Sequence, residues 1–255
     1  MRGRSAGRIA LAALLALCVT LPAPRVSAQA PSAPIDCSVP AELIEDDPTL
    51  PATAARLQAK QPLVIAAIGG SSTIGTGAGD NTDAAYPHQL QLALAKRYSD
   101  ASITVLNKGM PRQVARQMLD RFERDLGASH ATLVLWEVGV TDAVRQTDPD
   151  EFANTLQEGI AWLHDHEMEV MLIDMQFSPD TTAVINFQPY LDTLHQVGDL
   201  SQTYVFRRYE IMKYWSDNGV FQFTDVPKGE RRELAAKVYA CLGARLADAI
   251  AYAAR

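Results

Sequence analysis

Apolar runs and apolar stripes alternate along this chain in a regular order. Mainly apolar or β-branched runs fall at 63–68, 103–106, 132–138, 170–174 and 204–206. Runs of that length, with no polar alternation, predict strands buried on both faces of a parallel sheet. Between them, apolar residues recur at three- and four-residue steps over about 85–98, 113–126, 150–166, 187–200 and 230–254, which predicts helices. In the last of these, Leu234, Val238, Cys241, Leu242, Leu246 and Ile250 form one stripe. Strands that alternate with helices predict a three-layer α/β/α arrangement around a five-stranded parallel sheet with right-handed crossovers. Residues 29–60 break the pattern. Pro31, Pro34, Pro40, Pro48 and Pro51 predict an extended arm with one short helix near 53–59. The remainder, 61–255, reads as a single domain.

The N-terminus carries a different pattern. Arg2, Arg4 and Arg8 precede an apolar stretch from Ile9 to about Leu21, and Val26-Ser27-Ala28 offers small residues for cleavage. Residues 1–28 therefore read as a secretory leader, and the product as periplasmic or secreted without a stable membrane anchor. Leu17 before Cys18 argues against a lipoprotein leader. Residues 1–28 carry four Arg and no acid, so the rest has 19 basic against 30 acidic side chains, about −11. That balance disfavours nucleic acid and anionic lipid as partners. Two cysteines remain, Cys37 and Cys241. Export predicts a disulfide between them, tying the arm to the last helix; two separate buried thiols are the alternative.

Chemistry concentrates where strands end. The first run stops at Gly69-Gly70-Ser71-Ser72-Thr73, the second leads into Asn107-Lys108-Gly109, and the third into Gly139-Val140-Thr141-Asp142. In a parallel sheet these segments share the carboxyl edge, where open α/β folds build their sites. Phosphate-cradling alternatives fail on spacing: Gly75 is followed by Thr76-Gly77 where the P-loop needs Lys then Ser or Thr, and Gly75-x-Gly77-x-Gly79 is one residue short of the dinucleotide fingerprint. A purely structural Gly/Ser turn stays open, and no residue set calls for a cofactor or metal.

With these blocks the chain resembles the SGNH/GDSL hydrolase superfamily, secreted esterases and acyl hydrolases of flavodoxin-like fold. It looks closest to an exported bacterial subgroup with a Trp in the third block, here Leu135-Trp136-Glu137-Val138-Gly139. The resemblance covers about 62–252. It implies that Ser71 is the nucleophile, with Gly70 in place of the usual Asp and Ser72 as runner-up. It implies that the N–H of Gly109 joins the oxyanion hole, that Thr141 occupies the position of the hole's Asn donor, and that Asp225 is the acid of the closing Asp-x-x-His block. Here that block reads Asp225-Val226-Pro227-Lys228, so Lys228 stands where the base belongs. A protonated lysine cannot accept the serine proton. His88, after the loop that leaves Ser71, is the substitute to test. Glu137, on a buried strand, needs a partner, for example Arg112 or Arg207, and Gln176 is placed to line the pocket. Two functions follow: a serine hydrolase acting on acyl esters, with those of a surface polysaccharide as one candidate, or an inert member of the fold that binds a glycan or an envelope partner.

Overall fold

A computed structural model describes residues 35–79 and 82–255. The leader expected at 1–28 lies outside the described residues, as does the start of the arm. Five strands form one all-parallel sheet: β1 (Leu63–Gly69), β2 (Ile103–Gly109), β3 (Leu133–Glu137), β4 (Glu169–Ile173) and β5 (Tyr204–Phe206). Their spatial order is β2-β1-β3-β4-β5. The order reverses beside β1, so the loops after β1 and β3 part there and leave a crevice at the carboxyl edge. The expected sheet is present, and its second strand runs three residues further than the apolar run, through Asn107 to Gly109.

The helices are α1 (Pro51–Gln58), α2 (Ser71–Ile74), α3 (Tyr86–Arg97), α4 (Ala115–Leu119), α5 (Phe122–Leu126), α6 (Val140–Arg145), α7 (Pro149–Asp165), α8 (Pro179–Thr182), α9 (Gln188–Ser201), α10 (Arg208–Asp217) and α11 (Arg231–Ala253). Side chains alternate across the sheet. Ile65, Ala67, Leu133, Leu135, Met171 and Phe206 pack toward α3, α10 and α11. Ala66, Ile68, Val134, Trp136, Leu172 and Val205 pack toward α4, α5, α7 and α9. Each layer thus buries one parity of every strand.

Two differences from the sequence pattern matter. The helix expected over 113–126 is two short helices, because buried Arg121 interrupts it; its Nε donates to Gln113 Oε1 at 2.7 Å and its Nη1 bonds Asp125. The pattern also missed α10, which delivers Arg208 to the site.

The described part of the arm is docked. Cys37 and Cys241 are bonded, with Cα atoms 5.4 Å apart. The Trp215 indole N–H donates to the Cys37 carbonyl at 3.3 Å, and the Leu50 N–H to the Ala253 carbonyl at 2.8 Å. Glu169, opening β4, accepts from the N–H groups of Ala52 and Thr53 at the start of α1.

Candidate active site

β1 ends against β3 with no room for a side chain. A Cβ on Gly69 would lie 2.2 Å from Thr73 Oγ1 and 2.7 Å from Glu137 Cβ. The glycine lets the chain fold over Glu137 and start α2 directly above it. Ser71, the first residue of α2, is exposed; Ser72 and Thr73 turn inward and are buried.

The two inward hydroxyls close on one carboxylate. Ser72 Oγ donates to Glu137 Oε1 at 2.5 Å, and Thr73 Oγ1 donates to Glu137 Oε2 at 2.5 Å. Because Thr73 spends its proton on Glu137, the Tyr86 hydroxyl 3.0 Å away donates to Thr73. Arg208, 1% exposed, comes from the first turn of α10; its Nη1 donates to Ser72 Oγ at 3.0 Å and lies 3.5 Å from Glu137 Oε2. Parity explains the geometry: Glu137 follows Leu133 and Leu135 on the face that meets α3, α10 and α11, so its partners come from those elements. Burial, and then the Glu137 charge, raise the Tyr86 phenol far above its ordinary value and push Tyr239 up to about 12. Both phenols therefore stay protonated at working pH.

This network forms one wall of a cavity of about 400 Å³. Ser71, Ser72, Glu137, Thr141, Gln176 and Arg208 supply polar groups to it; Phe177, Met212, Phe223, Leu234, Val238 and Leu242 make an apolar wall. Small-molecule sites span roughly 300–1,000 Å³ and combine a mostly apolar lining with a few convergent polar groups.

The structure treats the expected residues differently. Ser71 and Thr141 share the cavity wall, and so does Gln176. Gly109 lies opposite Gly69 in the β1–β2 register, but its N–H donates to Asn107 Oδ1 at 2.9 Å. Asn107 Nδ2 donates to the Thr73 carbonyl at 2.7 Å, so the same side chain braces β2 against α2. A side chain at Gly109 would strike the Ile74 nitrogen at 2.4 Å; the residue serves close approach, not positive φ. Asp225 is exposed with φ 54° and lines a neighbouring groove with Thr224, Pro227 and Lys237, which shares only Leu234 with the cavity. Lys228 is exposed beside it. No histidine of the described residues lines the cavity, His88 included.

The other charged residues singled out near the strand ends take other roles. The partner of Glu137 is Arg208, not Arg112 or Arg207: Arg207 is half exposed and meets Glu210 at 4.0 Å, and Arg112 lines an outer groove that also touches Ser71. Asp142 is buried and accepts the Ala115 N–H at 3.1 Å; burial raises its pKa. Asp174, fully buried after β4, accepts from the Tyr209 N–H at 2.8 Å and meets His195 Nε2 at 3.1 Å. Sequence reasoning missed Arg208, although Arg208, Ile211, Met212 and Trp215 follow the i, i+3, i+4, i+7 spacing of a buried stripe. Among the described residues no group of three or more His, Cys, Asp or Glu could hold a metal ion, and no helix is long and apolar enough to cross a membrane.

Residues 36–255 match the model of the Non-GDSL lipase-like family. No curated protein matches the chain. Among solved structures, a two-domain esterase (CEX) active on acetylated mannans aligns with TM-score 0.60 at 17% identity, over 77% of this chain and 52% of that one. The acetylxylan esterase Axe2 from Geobacillus stearothermophilus aligns with TM-score 0.54 at 17% identity, over 69% and 92%. The lipase/acylhydrolase from Enterococcus faecalis aligns with TM-score 0.55 at 18% identity, over 69% and 93%. At these identities the likeness is one of fold.

Proposed function

Since the chain belongs to the Non-GDSL lipase-like family and has the fold of the SGNH-type hydrolases, we propose that it is an exported serine hydrolase of acyl esters, acting slowly through Ser71. One observation carries this reading. Ser71 is exposed on the wall of the cavity, and its hydroxyl makes no hydrogen bond to another described residue, whereas Ser72 is consumed by Glu137 and Arg208. In the reaction Ser71 Oγ attacks the ester carbonyl. The N–H groups at the start of α2, which the helix itself leaves unused, face the developing oxyanion together with the Thr141 hydroxyl. The Gly109 N–H joins them once Asn107 releases it. No imidazole takes the serine proton, so the rate falls by the contribution of a positioned base, about 10² to 10⁴. Solvent takes the proton instead. Fold neighbours whose names refer to acetylated xylan and mannan support a polysaccharide ester as the substrate class. The leader read at 1–28 and the Cys37–Cys241 bond support export.

A second reading is favoured by the Gly109 N–H, which is already bonded to Asn107: a member of the fold that binds its ligand without turnover. Release of p-nitrophenol from the acetate ester separates the two readings, measured against buffer on the chain lacking residues 1–28 and on its Ser71→Ala, Ser72→Ala and His88→Ala forms. The hydrolase reading expects a rate above buffer that vanishes in Ser71→Ala alone, with fluorophosphonate labelling at Ser71. Joint loss with His88→Ala would make His88 the base. Buffer-level rates in all four proteins would leave the binding reading.

A further inference from the structure

Two of the oxyanion donors that the resemblance implies are weakened in this chain. Thr141 brings a hydroxyl where an amide is usual, and the Gly109 N–H is already bonded to Asn107 Oδ1. The loop after β2 compensates. Asp142 accepts the Ala115 N–H at 3.1 Å, and Arg145 Nη2 donates to the Arg112 carbonyl at 2.8 Å, so both ends of the segment 112–115 are fastened to α6. Because β1 lies between β2 and β3, a loop that leaves β2 and is fastened to the helix after β3 crosses the carboxyl end of β1. Ser71 stands at that end. Gln113, in the middle of the crossing, shares the cavity wall with Ser71 and Thr141.

One end of the Gln113 amide is fixed. Arg121, 4% exposed, donates to it from Nε at 2.7 Å. A guanidinium only donates, so the end it meets is Oε1 and the other is the NH2 group. Nε2 bonds no described residue and, unlike Arg121 Nη2, is not shut off from solvent. It is a donor held in place without an acceptor, and a donor so preorganised is what a developing charge needs. The Gln176 amide has no such anchor among the described residues and follows β4, one strand further from Ser71.

We propose that Gln113 is a catalytic residue, its Nε2–H donating to the acyl oxygen of the ester in place of the missing amide; this rests on the hydrolase reading. As Ser71 Oγ bonds to the carbonyl carbon, the C=O π pair moves onto oxygen and meets the Gln113 N–H, while the serine proton goes to solvent. The pair then returns, and the bond to the leaving alcohol breaks with its electrons on that oxygen. The intact carbonyl carries less charge than the oxyanion, so the hydrogen bond strengthens on the way to the transition state and acts on kcat rather than on KM.

Gln113→Glu tests this, because a glutamate keeps an oxygen for Arg121 but puts a second oxygen where the NH2 group stood. With p-nitrophenyl acetate and the chain lacking residues 1–28, kcat is expected to fall about 10²-fold, or to the buffer rate where that comes first, with KM changed by no more than about three-fold. Fluorophosphonate labelling of Ser71 is expected to slow as well, since attack on phosphorus also places charge on an oxygen. The urea midpoint is expected to stay at or above that of the unaltered protein, because the bond to Arg121 gains a charge. A glutamine that only satisfied Arg121 would leave kcat and labelling unmoved in this form. Gln113→Met removes donor and acceptor together and is expected to lose the same activity and also stability; should it not fold, the Glu form decides. Unchanged kcat and labelling in Gln113→Glu, beside a working parent, would overturn the role of Gln113 alone. A raised KM at unchanged kcat would overturn it too, as a contact made equally before and during attack. A parent at the buffer rate and without label would sink the hydrolase reading, and this role with it.

Discussion

Two carboxylates are buried at the ends of neighbouring strands, Glu137 closing β3 and Asp174 following β4, and the protein holds them in different ways. Glu137, 4% exposed, meets two hydroxyls and a guanidinium. Asp174, 0% exposed, meets a backbone N–H and an imidazole. One turn of α10 serves both, since the Arg208 side chain reaches Glu137 and the Tyr209 N–H reaches Asp174. Guanidinium groups as a class do not lose their charge in proteins, whereas an imidazole is a side chain that can change charge. The carboxylate beside the cavity is thus paired with a permanent cation, and the one away from it with a switchable cation. The first arrangement holds a rigid polar floor under Ser71; the second ties α9 to the sheet.

The largest expected effect comes from stranding Glu137. Removing one partner of a buried pair typically costs about 3–5 kcal/mol, because the remaining charge is left in a dry interior. Arg208→Met should lose that much in urea unfolding, and Glu137→Gln combined with Arg208→Gln should regain most of it. A single variant as stable as the unaltered protein would show that the pair is not dry in solution. His195→Ala should cost less, about 1–3 kcal/mol. Asp174 keeps the Tyr209 N–H, and burial already raises its pKa, so it can take up a proton.

The same pair sets a pH dependence. Burial pushes His195 down, but the hydrogen bond and charge of Asp174 together outweigh it, and its pKa is raised. A raised imidazole contributes stability that is fully present below about pH 6.5, its unfolded value. That contribution is lost as pH rises through the higher folded value. Asp174, also raised, acts in the same direction at lower pH. Unfolding free energy should therefore fall as pH rises above about 6.5 in the unaltered protein. It should fall less in His195→Ala. Parallel pH curves for the two proteins would remove the imidazole from the account.

How much of this was legible in the sequence follows from what each signal encodes. Mainly apolar runs mark strands, and all five were visible, although the edge strand β2 is only partly buried; so was the long stripe of α11. Ser71 and Thr141 line one cavity, because a strand end dictates an edge. Asp225 lies outside that cavity, on an exposed turn whose direction no periodicity reports. Arg208 was hidden by its neighbour: Arg207 and Arg208 look alike in sequence, and only the stripe Ile211, Met212, Trp215 selects which one turns inward. The occupied N–H of Gly109 depends on an Asn107 rotamer, which no pattern of residue types carries.

The finest comparison is between adjacent hydroxyls. Ser72 donates to Glu137 and accepts from Arg208, so Ser72→Ala leaves one oxygen and one guanidinium N–H short of a partner; a loss of about 1–2 kcal/mol is expected. Ser71 is exposed, so Ser71→Ala should change stability by no more than about 0.5 kcal/mol. Activity is expected to run the other way, with Ser71→Ala losing the fluorophosphonate label and Ser72→Ala keeping it. That inversion is what separates a structural serine from a reactive one. If Ser72→Ala instead lost the label at unchanged stability, the attacking hydroxyl would be Ser72. Glu137, 2.5 Å away, would then be the acceptor of its proton, and Arg208 a donor to the attacking oxygen.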